Sequence, residues 1–250
     1  MRRTMAAVAA LVVFCAVAWM AGGCGGSGTE ARAQQVLNQS TSATTALKSV
    51  KEKGSNGMKS QDSSIPDVQV TYTSEMDLTD PARPTAHTMI KQGDTTINAY
   101  ASGGYVYTET GSGKWQKVKA EGTSALAPKD LKEIAAGARN VRLLAGNGDQ
   151  YEVAFEVGEQ GLKDSDLLGG ADRDTEVGKQ TAEALKDLKM SAVYSIAKDT
   201  MLIERVHLDM KMPSVAESGQ TTGEVTVNLS GFNQPVSIVL PEAAKSATSK

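Results

Sequence analysis

The chain has 250 residues, 40 % hydrophobic and 22 % charged, which allows one large domain or two small ones with a buried core. Its two cysteines, Cys15 and Cys24, both lie in the first 24 residues, and there are only two histidines. The body therefore holds no disulfide framework, cysteine-ligated zinc, iron–sulfur cluster or thiol nucleophile, and offers little for a histidine-based metal site or catalytic triad. A net charge of −3 gives no electrostatic footprint for nucleic acid.

Arg2 and Arg3 open the chain, and Met5 to Met20 is an unbroken apolar run of 16 residues. A helix of that length spans about 24 Å, short of the ~30 Å hydrocarbon core. Ala21-Gly22-Gly23-Cys24 follows at once. A basic start, an apolar middle and a small-residue exit read as an export signal over residues 1–23. The cysteine after Ala-Gly-Gly resembles a bacterial lipobox, although position −3 is Ala21 where that motif usually has Leu. The resemblance implies a diacylglycerol on the Cys24 thiol and cleavage before it. The expectation is a lipoprotein anchored to the outer face of the cell membrane, since two or three acyl chains hold a protein there stably. Without residues 1–23 the chain has 227 residues, with 24 Lys+Arg against 29 Asp+Glu. That body is only about 36 % apolar, which is low for a compact globule.

Residues 24–30 read as a flexible tether rich in glycine. A helix is expected from about Ala31 to Lys53, because Val36, Ser40, Ala43, Leu47 and Val50 form one helical stripe. Gly54 and the polar residues to Ser64 should break it. Val68, Val70, Tyr72, Met76 and Leu78 then alternate with polar residues as a half-buried strand. His87 to Gln92, Thr95 to Ala101, Tyr105 to Glu109 and Lys114 to Ala120 continue as an antiparallel meander with glycine turns.

Pro128 suits the first turn of a helix carrying Leu131, Ile134, Ala135 and Ala138. A hairpin follows, Val141 to Ala145 with Tyr151 to Val157, and then a helix from Asp174 to about Leu188. Met190 to Ile196 is a strand. The next strand is the clearest in the chain: Leu202, Val206, Leu208, Met210 and Met212 share one face, interrupted by Glu204. Val225 to Leu229 and Val236 to Leu240 are the last two strands, and residues 243–250 read as a disordered tail. Long antiparallel runs with a few helices argue an α+β fold. A one-sided sheet curling over its helices would have an apolar hollow, and that hollow is the one feature pointing to a ligand.

Motifs of chemistry give weak matches. Gly23 to Gly28 fits G-x-G-x-x-G but follows an apolar leader rather than a strand. Ser195 and Lys198 fit S-x-x-K near a strand end, where the two side chains point to opposite faces. Asp172, Asp174, Glu176 and Glu183 stand at calcium-loop offsets, but Val177 replaces the required glycine. His207, between Arg205 and Asp209, reads as solvent-facing, and His87 has no supporting partner. Tyr105, Tyr107 and Trp115 cluster in one hairpin, either as cross-strand packing or as a cavity wall. Seven methionines lie beyond Cys24, and methionine adapts to varied apolar ligands.

The order of several segments carries a family likeness. After the lipobox come ALKSVKEKG, VQVTYTSEMDLT, GGYVYTETGSGKWQKV, SAVYSIAKDTMLIERVHLDMKM and FNQPVSIVLPEAA. Together they resemble the bacterial LolA/LppX/LprG-like lipoprotein superfamily over residues 31–242. The resemblance implies a strongly curved antiparallel β-sheet, an unclosed half-barrel, with helices packed on its concave side. It also implies non-covalent binding or carriage of a lipid or other apolar ligand at the cell envelope. The strand faces place Val70, Tyr72, Met76, Val206, Leu208 and Met210 as the candidate ligand cavity. The reading requires no catalytic residue, cofactor, metal or nucleic acid, and expects a monomer held to the membrane by its acyl chains. The alternative is a non-catalytic surface protein-interaction module whose core is filled by its own side chains.

Overall fold

A computed structural model describes residues 27–61, 66–80, 83–110, 113–119, 127–144, 146, 148–158, 188–213 and 220–249. The expected export signal, Cys24 and the acidic segment at 172–183 lie outside them, as does the helix expected from Asp174.

Helix α1 (Ser27–Thr45) comes first, followed by β1 (Ser49–Ser60), β2 (Val68–Asp77), β3 (Thr85–Gln92), β4 (Thr95–Ser102), β5 (Tyr105–Thr110) and β6 (Lys114–Lys119). Then come α2 (Pro128–Ala136), β7 (Ala138–Leu144), β8 (Gln150–Val157), β9 (Lys189–Ala197), β10 (Ile203–Pro213) and β11 (Gln220–Ser230). A short helix, α3 (Glu242–Lys245), and the two-residue β12 (Thr248–Ser249) end the chain. The strands form one sheet in the order β12-β6-β5-β4-β3-β2-β1-β11-β10-β9-β8-β7. β7 and β6 do not pair, so the sheet curves as a half-barrel without closing.

β1 is the centre of this arrangement. Ten of its residues pair antiparallel with β11 on one side, and ten with β2 on the other. It thereby joins an early wing, β2–β6, to a late wing, β7–β11. The expected helix over 31–53 is corrected here: it ends at Thr45, and the residues read as its last turns begin β1. The inward positions of β1 are Val50, Glu52, Gly54, Asn56 and Met58, a set too polar to show a hydrophobic alternation. Within the segment expected as a tether, α1 already starts at Ser27, with Glu30 in the first turn where the helix dipole favours an acid.

The inner face of the late wing carries the core. α1 lays Ala33, Val36, Leu37, Ser40, Thr41 and Thr44 against it, a stripe at helical spacing. The Ser40 and Thr41 hydroxyls donate to the Leu37 carbonyl, so neither is buried unpaired. Thr44 Oγ1 accepts the Ile203 amide at 3.1 Å and ties the helix to β10. α2 begins with Pro128 at its first turn, and the Asp130 carboxylate accepts the Ala127 amide at 2.8 Å. Leu131 and Ile134 of α2 are wholly buried, as are Val153, Tyr194, Ile196, Ile203, Val206, Leu208 and Val227 of the sheet. The Tyr194 hydroxyl donates to the Leu131 carbonyl at 3.1 Å, and the ring meets Phe155 edge-on at 5.0 Å.

Two expectations for the C-terminus are corrected. Val236 to Leu240 alternates in burial but pairs with no strand among the described residues, because β11 already has β1 and β10 as neighbours. The segment starts as a strap at the end of β1, where the Asn233 amide donates to the Ser49 carbonyl and the Ser49 hydroxyl to the Gln234 carbonyl. The tail read as disordered is ordered through Ser249. Ala244 of α3 is completely buried, and β12 pairs parallel with Gln116 and Lys117 of β6. Two small alanines, Ala244 and Ala247, seat this segment, and they give no strong signal in sequence.

Candidate ligand-binding face

Because side chains alternate along a strand, the registers fix which residues share the inner face. Val206 pairs with Tyr194 and Val227; Val227 pairs with Gly54, and Gly54 with Tyr72. Leu208 and Val225 stand one step outward, with Asn56 and Val70. A further step out, Met190, Met210, Gly223, Met58 and Val68 form one row across five strands. All six residues assigned to the candidate cavity therefore share this face. Their burial divides them: Met76, Val206 and Leu208 are core, whereas Val70, Tyr72 and Met210 are half-buried.

The outermost row is buried at β9, where Met190 sits, and open at β1 and β2. Met58 is 41 % exposed and its direct partner Val68 is 37 % exposed. The Met210 side chain lies across Gly223, whose added Cβ would fall 2.9 Å from the Met210 methyl. Gly54 does the same for a larger group: an added Cβ there would meet the Tyr72 ring at 2.4 Å. Glycine at 54 lets the phenol of Tyr72 fold across β1.

In the other direction one row is polar before Val50, Met76 and Ala86 make the face apolar again. Glu52, Ser74, Thr88 and Ala99 stand opposite one another across β1–β4. Ser74 and Thr88 are buried and bond through their hydroxyls at 3.0 Å. Glu52 is 3 % exposed, and neither of its carboxyl oxygens has a hydrogen-bond partner. Burial drives its pKa well above the usual carboxylate range, and the charge of Asp130 pushes the same way. Burial, then Glu52, raises the pKa of Tyr72; burial, then Asp130, raises that of Tyr194. The face thus presents a buried carboxyl whose neutral form burial favours, a phenol and two hydroxyls beside an apolar mouth. Patterning by hydrophobicity missed Glu52, Ser74 and Thr88, because polar residues pointing inward break the signal it relies on.

Other singled-out residues fall elsewhere. Tyr100, Tyr107 and Trp115 are on the opposite, outer face, where Tyr100 stacks on His87 at 4.3 Å and meets Trp115 at 5.7 Å. The hairpin aromatics are cross-strand packing and do not wall the inner face. His207, also outward, is half-buried with Nδ1 3.0 Å from Thr226 Oγ1 and Nε2 3.3 Å from Asp209. A polar cleft of about 770 Å³ lies at the β7–β8 and β9–β10 turns, lined by Asp149, Gln150, Lys198, Asp199 and Glu204. Its charged lining separates it from the apolar face.

The open curved sheet with helices against its inner face is the LolA/LppX/LprG-like fold. LprF from Mycobacterium bovis superposes with a TM-score of 0.53 at 18 % identity, covering 86 % of this chain and 98 % of that one. A LolA superfamily protein from Nitrosomonas europaea matches at 10 % identity and a TM-score of 0.30, over 84 % of this chain and 95 % of that one. That second likeness is too distant to carry an argument. No curated protein sequence matches. The chain belongs to DUF6612, a family of unknown function, which it matches over residues 32–249.

Proposed function

We propose that this protein is a cell-envelope lipoprotein, anchored through acyl chains on Cys24, whose inner face binds a lipid or other apolar ligand without catalysis. The observation that carries the reading is the row Met58, Val68 and Met210. Met58 and Val68 stay open to solvent and Met210 is half-buried, at the outer ends of strands whose next inward residue on β10, Leu208, is fully buried. Exposed apolar groups cost about 25 cal/mol per Å² of surface left in water, so neighbouring exposed apolar side chains support a binding surface here. Val70 and Tyr72 continue it inward, and acyl chains lying there would be shielded from water. The half-barrel shared with LprF supports the same reading. The role is that of a tethered binder, since an anchored chain does not shuttle freely between membranes.

Mass spectrometry of protein extracted gently from membranes tests it. The expected result is a co-purifying lipid with an acyl-chain mass. Absence of any lipid, together with no rise in Tm on adding lipids, favours the protein-interaction module with a filled core. The anchor has its own test: Cys24→Ala should release the protein from the membrane or block its maturation, and unchanged retention removes the lipobox assignment.

A further inference from the structure

The outermost row of the inner face holds methionines at three depths. Met190, Met210 and Met58 stand in that row, with Gly223 between the last two. Met190 is 4 % exposed, Met210 is half-buried with its methyl beside Gly223, and Met58 is 41 % exposed. Met76, deeper on the same face, is buried. Met58 is therefore the most solvent-open methionine among the described side chains. Its direct cross-strand neighbours are Val68 and Gly223, and neither has a side chain that donates a hydrogen bond.

We propose that Met58 is a peroxide-sensitive modification site, and that its oxidation to the sulfoxide weakens ligand binding on the apolar row. This rests on the binding role given above. The reaction needs a hydroperoxide and no catalytic group. With hydrogen peroxide, a lone pair on Met58 Sδ attacks one peroxide oxygen, and the S–O bond forms as the O–O bond breaks. The departing hydroxide takes the proton of the transferred oxygen and leaves as water; sulfur loses two electrons and the peroxide gains them. Access of peroxide to sulfur sets the order, with Met58 first, Met210 slower, and Met190 and Met76 last. The product changes the chemistry of the row. A sulfoxide oxygen at position 58 is hydrated while the row is open. A ligand chain lying there strips that water away, and Val68 and Gly223 offer no donor in its place, so oxidation penalises the bound state more than the free one. A bound chain in turn covers the thioether and slows its oxidation. Methionine sulfoxide reductases restore the thioether, so the change is reversible.

The experiment treats the full chain with a limited dose of hydrogen peroxide and quenches it with catalase. Peptide mass spectrometry then locates the sulfoxides, and the uncharged fluorophore N-phenyl-1-naphthylamine is titrated before and after treatment. Met58 is expected to oxidise at least about tenfold faster than Met190 or Met76, and more slowly when 1-dodecanol is present. Reporter affinity should fall by at least about fivefold once Met58 is oxidised, and return after incubation with the reductases. Met58→Leu, compared only with its own untreated state, should lose no affinity at the same dose. Equal rates at Met58 and Met190 in a protein that melts cooperatively overturn the site. So does undiminished affinity in protein oxidised at Met58, or a loss in Met58→Leu as large as that of the wild type; each of these leaves the binding role intact. An untreated wild type that takes up no reporter overturns the binding role, and the assigned effect of oxidation with it.

Discussion

Strands β7–β11 and β2–β6 flank β1 on either side and differ in what closes their inner faces. On the late wing, α1 and α2 supply Leu37, Leu131 and Ile134, and the inward residues of β8 and β9 beneath them, Val153, Phe155, Ala192, Tyr194 and Ile196, are buried. On the early wing, β5 and β6 are mostly half-buried, with Val118 44 % exposed. The two wings share strand geometry and antiparallel pairing, so pairing alone does not set burial. The late wing gains its stability from helix-to-sheet packing, and the early wing keeps apolar surface in reserve. The candidate binding row lies at the outer ends of the strands from β10 to β2, away from the helix-covered core.

Substitutions can break that division, and the largest effect is expected in the late wing. Phe155→Ala should lower stability by about 3–5 kcal/mol, read by chemical denaturation, because a buried aromatic leaves a cavity the helices cannot fill. At the junction, Glu52→Gln should raise stability. The native state holds the Glu52 proton to higher pH than the unfolded chain does, so wild-type stability falls as pH rises from the ordinary carboxylate range through the raised native value. The Tm gained by Glu52→Gln should therefore be small near about pH 4 and grow toward about pH 7.5. Equal gains at both values would mean that Glu52 titrates normally. Tyr194→Phe, which removes the bond to the Leu131 carbonyl, should cost about 1 kcal/mol in the same denaturation assay. Met58→Ser should change stability by less than about 0.5 kcal/mol, yet weaken binding of an apolar fluorophore. A stability loss as large as that of Phe155→Ala would erase the distinction between the wings.

The sequence was most legible where one face meets core and the other meets water. In β10 the outward Arg205, His207, Asp209 and Lys211 alternate with the inward Val206, Leu208 and Met210, and the structure keeps that alternation. Its start was less clear: the register slips between Ile203 and Arg205, so Ile203 rather than Leu202 is buried with the core. β1 was illegible for the opposite reason, since Glu52 and Asn56 point inward and Val50 continues a helical stripe by coincidence of spacing. Val236 to Leu240 carried a true period of two, yet it pairs with no strand among the described residues. The apolar half of the candidate site followed from period-two patterning. Its polar half depends on registers between strands distant in sequence, such as Glu52 with Ser74 and Ser74 with Thr88, which no local pattern encodes.

The central claim is that an apolar ligand lies along the inner face beside Val70. Val70→Trp fills that space from a half-buried position and leaves the late-wing core untouched. Native mass spectrometry of the membrane-extracted wild type and of Val70→Trp tests the claim most directly. A lipid adduct on the wild type that is lost from a folded Val70→Trp protein is the predicted result. An adduct kept by both proteins would place the ligand elsewhere and contradict the account.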